Sequence, residues 1–398
     1  MRRTRIGVAA LGLLATTAVA TVVAVVPVGA APRTKPCGAD PGYVRTQECV
    51  RINQIQVIGS HNSYHLRGQE PFWSAFSNFV PDTAASLDYS HPPLANQFSD
   101  QAVRQIELDV ATDPKGGRYA THRVLKVVNQ PTRSTDPNLY KPGLKVIHEP
   151  EVDWETTCST LRICLTQVRR WSTAHPGHVP IAVLLELKED KTPDPLHLGF
   201  VSAQPFTAKD LRELDDTVRS EIPATMLYTP DDLRGSARTL PAAIRTTGWP
   251  TLAQARGKVM FLMDNEGGVR DLYLKGHRNL AGRVLFTSSK PGEPSAAFVK
   301  ANDPKGLNGQ RIQQLVRDGF VVRTRADADT KEARSGDTTM RDAALASGAQ
   351  WVSTDYPTIS DNRFGTPYFA AIPGGTVARC NPVNAPAGCV SDLLERLR

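Results

Sequence analysis

The sequence lacks the short motifs that mark the commoner hydrolases and nucleotide enzymes. It has no G-x-S-x-G turn and no G-x-x-x-x-G-K-[ST] loop, which excludes a serine-hydrolase elbow and a P-loop. None of its cysteines forms a C-x-x-C knuckle, so a zinc module is excluded. No Lys/Arg block interleaves with aromatics, and no nucleic-acid partner is expected. The glycines have no period, which removes collagen-like readings. Beyond residue 26 no stretch is long and apolar enough to span a membrane. With 40% hydrophobic and 22% charged residues in 398, a compact, enzyme-sized chain remains.

The first thirty residues stand apart. Arg2, Arg3 and Arg5 precede an uncharged run from Ile6 to Val26, and Val28-Gly29-Ala30 supplies small residues at a cleavage site. This pattern reads as a secretory signal peptide over 1–30, with an uncleaved membrane anchor as the alternative. Removing it takes the net charge from +7 to +4, a mildly cationic surface that tolerates an anionic substrate. All six cysteines lie in the exported part, as the close pairs Cys37 and Cys49, Cys158 and Cys164, Cys380 and Cys389. Pairing neighbours closes three short loops, as expected of disulfides in an oxidising compartment.

Eight short β-rich runs recur: Ile55–Ser60, Ile106–Val110, Val146–His148, Val183–Leu187, Val259–Met263, Val284–Thr287, Val321–Arg325 and Trp351–Thr354. Helical patterns alternate with them, notably Cys158–His175, Ala208–Glu221, Gly309–Asp318 and Thr339–Ser347. Alternation predicts parallel strands with crossover helices. The fold class expected is α/β, a (β/α)8 TIM-type barrel with long loops at the catalytic face; an open doubly wound sheet is the alternative. That sheet normally carries a glycine-rich phosphate turn after its first strand, and Gly59-Ser60-His61 is not one. The expected organisation is a signal peptide (1–30), an N-terminal strap (31–49), a catalytic barrel (50–360) and a disulfide-bearing tail (361–398). The connections 66–101 and 111–143 exceed ordinary turns, and loops of that length are usually functional or locally folded.

The chemistry gathers where a barrel collects it, at the C-terminal ends of strands. Glu107 and Asp109 are two apart, so a strand points both to one face. Two carboxylates on an apolar strand repel and lose solvation unless a cation neutralises them. Glu186 on the fourth run and the amide oxygen of Asn62 complete an all-oxygen set that suits a hard cation, Ca²⁺ or Mg²⁺. His61 and His148 also follow apolar strand residues and form a natural acid–base pair. Lys188, Arg323 and Arg325 either meet substrate phosphate or form salt bridges within the barrel. Asp264 and Asn265 follow the fifth run and are candidates for polyol hydroxyls. His65 is a candidate to line the mouth; His122, His175, His178, His197 and His277 read as surface residues. Phe72, Trp73, Phe76 and Phe79 either capture lipid or pack as an amphipathic helix on the barrel.

Taken in order, S-H-N at 60–62, E-L-D at 107–109, V-I-H at 146–148 and L-E-L at 185–187 resemble the catalytic core of calcium-dependent phosphoinositide-specific phospholipase C. The likeness is to the secreted bacterial type, in the superfamily of phospholipase C-like phosphodiesterases. It spans about residues 50 to 360, including Arg323-Thr-Arg-Ala-Asp327 and Ser353-Thr-Asp-Tyr-Pro357. It implies that Asn62, Glu107, Asp109 and Glu186 bind Ca²⁺, that His61 stabilises the phosphorane, and that His148 protonates the departing diacylglycerol. The implied reaction is attack of the inositol 2-hydroxyl on phosphorus, giving diacylglycerol and an inositol (cyclic) phosphate. The implied substrate is phosphatidylinositol or a related phosphodiester met peripherally at a membrane surface. A secreted monomer is expected.

One departure affects the acid. Eukaryotic members carry His-Gly-His on strand three, whereas this chain has His148-Glu-Pro; His91, in the loop after strand one, is the competing candidate. A glycerophosphodiester phosphodiesterase is the nearest rival, although that family typically shows His-Arg-Gly where His61-Asn62-Ser63 stands. A secreted lipid- or carbohydrate-binding barrel without activity is the second.

Overall fold

The computed structural model describes residues 36–39 and 42–395; the expected signal peptide and the first residues of the strap lie outside them. The barrel strands are β1 (Ile55–Ser60), β2 (Gln105–Ala111), β4 (Ile181–Leu187), β6 (Val259–Met263), β7 (Leu285–Thr287), β8 (Phe298–Lys300), β9 (Val321–Arg325) and β10 (Trp351–Thr354), with β3 (Lys145–Val146), β5 (Leu227–Tyr228) and β11 (Ala378–Cys380) added around them. Parallel pairing runs β7-β6-β4-β2-β1-β10-β9-β8, and a parallel bridge from Ser288 to Phe298 joins the two ends. The result is the expected eight-stranded TIM-type ring.

The strands form where the sequence concentrates β-branched and aliphatic residues, and parallel strands covered on both faces stay apolar throughout. Every residue of β1, β2 and β6 is buried. Around them pack amphipathic helices such as Leu161–Ala174 and Ala208–Glu221. Each starts at a threonine, Thr160 or Thr207, whose hydroxyl accepts from the third helical N–H, satisfying a donor the helix cannot. At Gly59 a Cβ would lie 1.9 Å from Gln105 Oε1. Glycine is therefore what lets β1 lie against β2.

Two strand assignments change. The run Val146–His148 is not a barrel strand: only Val146 of it is paired, and with Lys145 it runs antiparallel on the end of β2, opposite Val110 and Ala111. The parallel edge of β2 is already occupied by β4, so His148 sits in a turn beyond β3. The eighth barrel strand is the three-residue β8, too short to stand out as an apolar run.

The long connections are locally folded, with helices at Phe72–Phe79, Pro81–Ser86 and Leu94–Asp100 after β1 and short 3-10 turns after β2. The segment past β10 returns beneath the barrel. Its β11 pairs antiparallel with the start of β1, and Glu395 forms a buried ion pair with Arg104. Cys37–Cys49, Cys158–Cys164 and Cys380–Cys389 are all bonded. Among the described residues no helix is long and apolar enough to cross a membrane.

Candidate active site

The carboxylate cluster follows from strand register. Glu107 and Asp109 share a face of β2, and Asp109 lies directly opposite Glu186 on β4. Ligand oxygens of Glu107, Asp109 and Glu186 fall within 4.8 Å of one another. Both Asp109 oxygens are buried without a hydrogen bond, as is Asn62 Oδ1. Asn62 holds a left-handed turn with φ +41°, and its Nδ2 donates to Tyr89 Oη at 3.1 Å. Burial pushes Glu107 up to about 7 despite the Arg323 guanidinium bound to it. Burial and the facing Glu186 push Asp109 well above the ordinary carboxylate range. Clustered carboxylate oxygens, two of them with raised proton affinity, beside an amide oxygen that lacks a hydrogen bond are a donor set a hard divalent cation satisfies, so the residues present fit Ca²⁺.

Each of two histidines is held by an aspartate. His61 Nδ1 lies 2.9 Å from Asp355 Oδ1, while Arg325 Nη1 donates to His61 Nε2 at 3.1 Å and Arg325 Nη2 reaches Asp355 Oδ2 at 3.2 Å. A guanidinium only donates, so His61 carries its proton on Nδ1. Desolvation and the Arg325 charge push the ring down to about 3. His148 Nδ1 meets Asp153 Oδ2 at 2.7 Å, leaving Nε2 for the mouth. The same aspartate holds His65, whose Nε2 lies 2.9 Å from Oδ2. Burial alone would raise Asp153, but the two histidines hold it well below the usual carboxylate range.

Several expected roles change. His91 is buried and donates from Nε2 to the His61 carbonyl at 2.8 Å, so its ring supports the turn rather than facing the mouth. His65 is fully buried against Tyr89. His122 and His178, read as surface residues, are buried, His122 stacked on Trp154. Arg323 spends its donors on Glu107, Ser353 and Asn302. Lys188 Nζ sits 3.2–3.5 Å from Glu186, Asp109 and Glu149. For these two cations the salt-bridge alternative is the one realised. Asp264 pairs with Lys300 at 2.6 Å, and Asn265 clasps both main-chain groups of Leu187. Phe72, Trp73 and Phe76 are core, leaving only Phe79 exposed.

Asp153 and Asp355, which hold His148 and His61, are the candidate residues sequence reasoning did not single out. Asp355 lies inside the closing-strand motif already noted. Asp153 follows His148 by five residues in a turn with no periodicity to betray it.

An α/β barrel that gathers three clustered carboxylates able to hold a metal and two aspartate-held histidines has the layout of an enzyme site. The model of the Ca²⁺-dependent phosphoinositide phospholipase C family matches residues 50–382. The chain belongs to that family, and it is an enzyme that depends on Ca²⁺. The match favours the phosphoinositide reading over the glycerophosphodiester one.

No curated protein matches. Among solved structures, the chain is similar to a calcium-dependent phosphoinositol-specific phospholipase C from Pseudomonas sp., at 20% identity over 87% of this chain and 99% of that one, TM-score 0.48. The Ca²⁺-dependent enzyme of Streptomyces antibioticus shares 17% identity over 79% and 98%, TM-score 0.48. The phosphatidylinositol-specific enzyme of Listeria monocytogenes shares 10% over 80% and 93%, TM-score 0.43.

Proposed function

We propose that the protein is an exported phospholipase C that cleaves phosphatidylinositol to diacylglycerol and an inositol cyclic phosphate, which water can later open. The observation that carries this reading is the carboxylate cluster flanked by His61 and His148, each fixed by its own aspartate. Asn62, Glu107, Asp109 and Glu186 would hold Ca²⁺. Bound there, it supplies neutralisation of phosphoryl charge and a lower pKa for the attacking hydroxyl.

The histidine tautomers divide the remaining work. His61 Nε2 is the acceptor nitrogen, and Asp355 at Nδ1 stabilises the imidazolium formed when the ring takes the 2-hydroxyl proton, as in aspartate–histidine pairs generally. Arg325, held by Asp355 and His61, presents its guanidinium to the charge developing on phosphorus, sharing the role first expected of His61. His148, with Nδ1 on ionised Asp153, offers the Nε2 proton to the departing diacylglycerol oxygen. The O–P bond to the inositol 2-oxygen forms and the P–O bond to diacylglycerol breaks, while one proton leaves the 2-hydroxyl for His61 and another passes from His148 to the departing oxygen.

Export rests on the N-terminal pattern and the three disulfides, and the division at residues 30, 49 and 360 is part of the same proposal. A phosphorus NMR time course on phosphatidylinositol tests the function. Appearance of a cyclic inositol phosphate with Ca²⁺, and its arrest by chelator, is the expected result. Release of free glycerol phosphate, or turnover indifferent to chelator, would overturn it.

A further inference from the structure

Three guanidiniums converge on one carboxylate beside the mouth. Arg67 Nε lies 3.0 Å and Arg363 Nη1 2.6 Å from Asp88 Oδ1, and Arg334 Nη2 lies 2.9 Å from Oδ2. Arg67 and Asp88 belong to the connection after β1, Arg334 to that after β9, and Arg363 to the segment after β10. All three connections leave the C-terminal, catalytic ends of their strands. The cluster is tied to the site itself, because Tyr89, next to Asp88, stacks on His65 at 4.3 Å and accepts from Asn62.

The cations are in excess and incompletely used. Besides Asp88, the one carboxylate among the described residues to pair with them is Glu70, 3.7 Å from Arg67 and itself bonded to Ser74. Arg363 uses one nitrogen, and Arg334 Nη1 has no hydrogen-bond partner among the described residues. Both side chains remain open to solvent, at 40% for Arg334 and 49% for Arg363. Asp88 fixes their planes, and Arg334 is further steadied over the Phe364 ring at 4.1 Å. Oriented guanidiniums with spare N–H groups are suited to phosphate oxygens. The apolar company points to a bilayer rather than a free anion: Phe79 and Val80 are exposed in the connection carrying Arg67 and Asp88, and Ile359 is exposed four residues before Arg363.

We propose that Arg334 and Arg363, oriented by Asp88, bind the phosphodiester of an anionic phospholipid other than the substrate, and so hold the mouth against a negatively charged bilayer. This deepens the phosphatidylinositol reading, on which it rests only for the orientation of the mouth. The probe is the full protein with vesicles of phosphatidylcholine, alone or mixed with phosphatidylglycerol, in chelator so that Ca²⁺ cannot bridge. Wild type is expected to prefer the mixed vesicles and to lose that preference with salt. Arg334→Gln and Arg363→Gln should each weaken partitioning about fivefold, and Arg363→Lys should retain most of it. Turnover of a water-soluble nitrophenyl inositol phosphate should be unchanged in all three.

Equal partitioning of wild type to both vesicles would overturn the proposal. So would a double variant that binds mixed vesicles like wild type, even if less stable, because the cluster would then be a loop clasp alone. If the phosphatidylinositol reading fails instead, the soluble substrate goes unturned while the vesicle preference persists.

Discussion

Lys188 Nζ lies 3.3 Å from Asp109 Oδ2, so the residue best placed to bind a metal already faces a buried ammonium. The same ammonium touches Glu186 and Glu149, and these carboxylates hold it charged, well above the ordinary lysine range despite burial. A monovalent cation beside a dication site opposes the dication. Removing it as Lys188→Met is expected to tighten Ca²⁺ binding at least about tenfold by calorimetry. Glu107→Gln and Asp109→Asn should weaken it strongly in the same titration. Unchanged affinity in both acid variants would remove the metal assignment.

That pairing also shows how far the sequence could be read. The same-face disposition of Glu107 and Asp109 follows from two-residue periodicity alone, and seven of the eight barrel strands follow from apolar runs. Which carboxylate faces Asp109 is a matter of register between β2 and β4, and register is set by packing across the whole ring. From sequence Lys188 is open to two readings, phosphate contact or barrel salt bridge, and its place beside Asp109 and Glu186 follows only from the packed strands. Val146–His148 resembled a strand because a three-residue apolar run does not distinguish a barrel strand from a strap. Asp153 and Asp355 act through hydrogen bonds made by turns, and turns carry no period.

At the base of the barrel, His178 is buried with Ser172 Oγ 2.6 Å from Nε2 and the Val179 carbonyl 2.6 Å from Nδ1. Burial pushes it down to about 4. The unfolded chain takes a proton near 6.5, so between these values the unfolded state binds more protons and stability falls as pH falls. The contribution is complete above about 6.5 and lost by about 4, on the order of 3 kcal/mol. Urea unfolding across that interval should show the slope, and His178→Asn should flatten it. Identical slopes in both proteins would refute the assignment.

The disulfides span 12, 6 and 9 residues, and two of them meet where Cys37 N donates to Ala387 O at 2.9 Å. Such short loops should each contribute about 2–3 kcal/mol by restricting the unfolded chain. Reduction is expected to lower the thermal midpoint while leaving turnover at low temperature, since no described cysteine is free. Alkylation mass spectrometry of native protein should find no accessible thiol; six free thiols would contradict the pairing.

The two histidines should separate by leaving group. Diacylglycerol departs as a poor alkoxide and needs a proton, whereas a nitrophenolate departs as a stable anion. Charge on phosphorus and removal of the 2-hydroxyl proton matter in both reactions. His148→Ala is therefore expected to lose on the order of 10²–10⁴-fold on phosphatidylinositol and to recover most activity on a nitrophenyl inositol phosphate. Asp153→Asn should follow His148→Ala in pattern, because the carboxylate 2.7 Å from Nδ1 holds the ring that donates. His61→Ala and Asp355→Asn should be slow on both substrates. His91→Ala, whose ring holds the His61 carbonyl and packs against Tyr89, should lose both activities to the same degree. A selective rescue of His91→Ala by the phenolic substrate would instead place the acid in the loop after β1 and displace His148 from the mechanism.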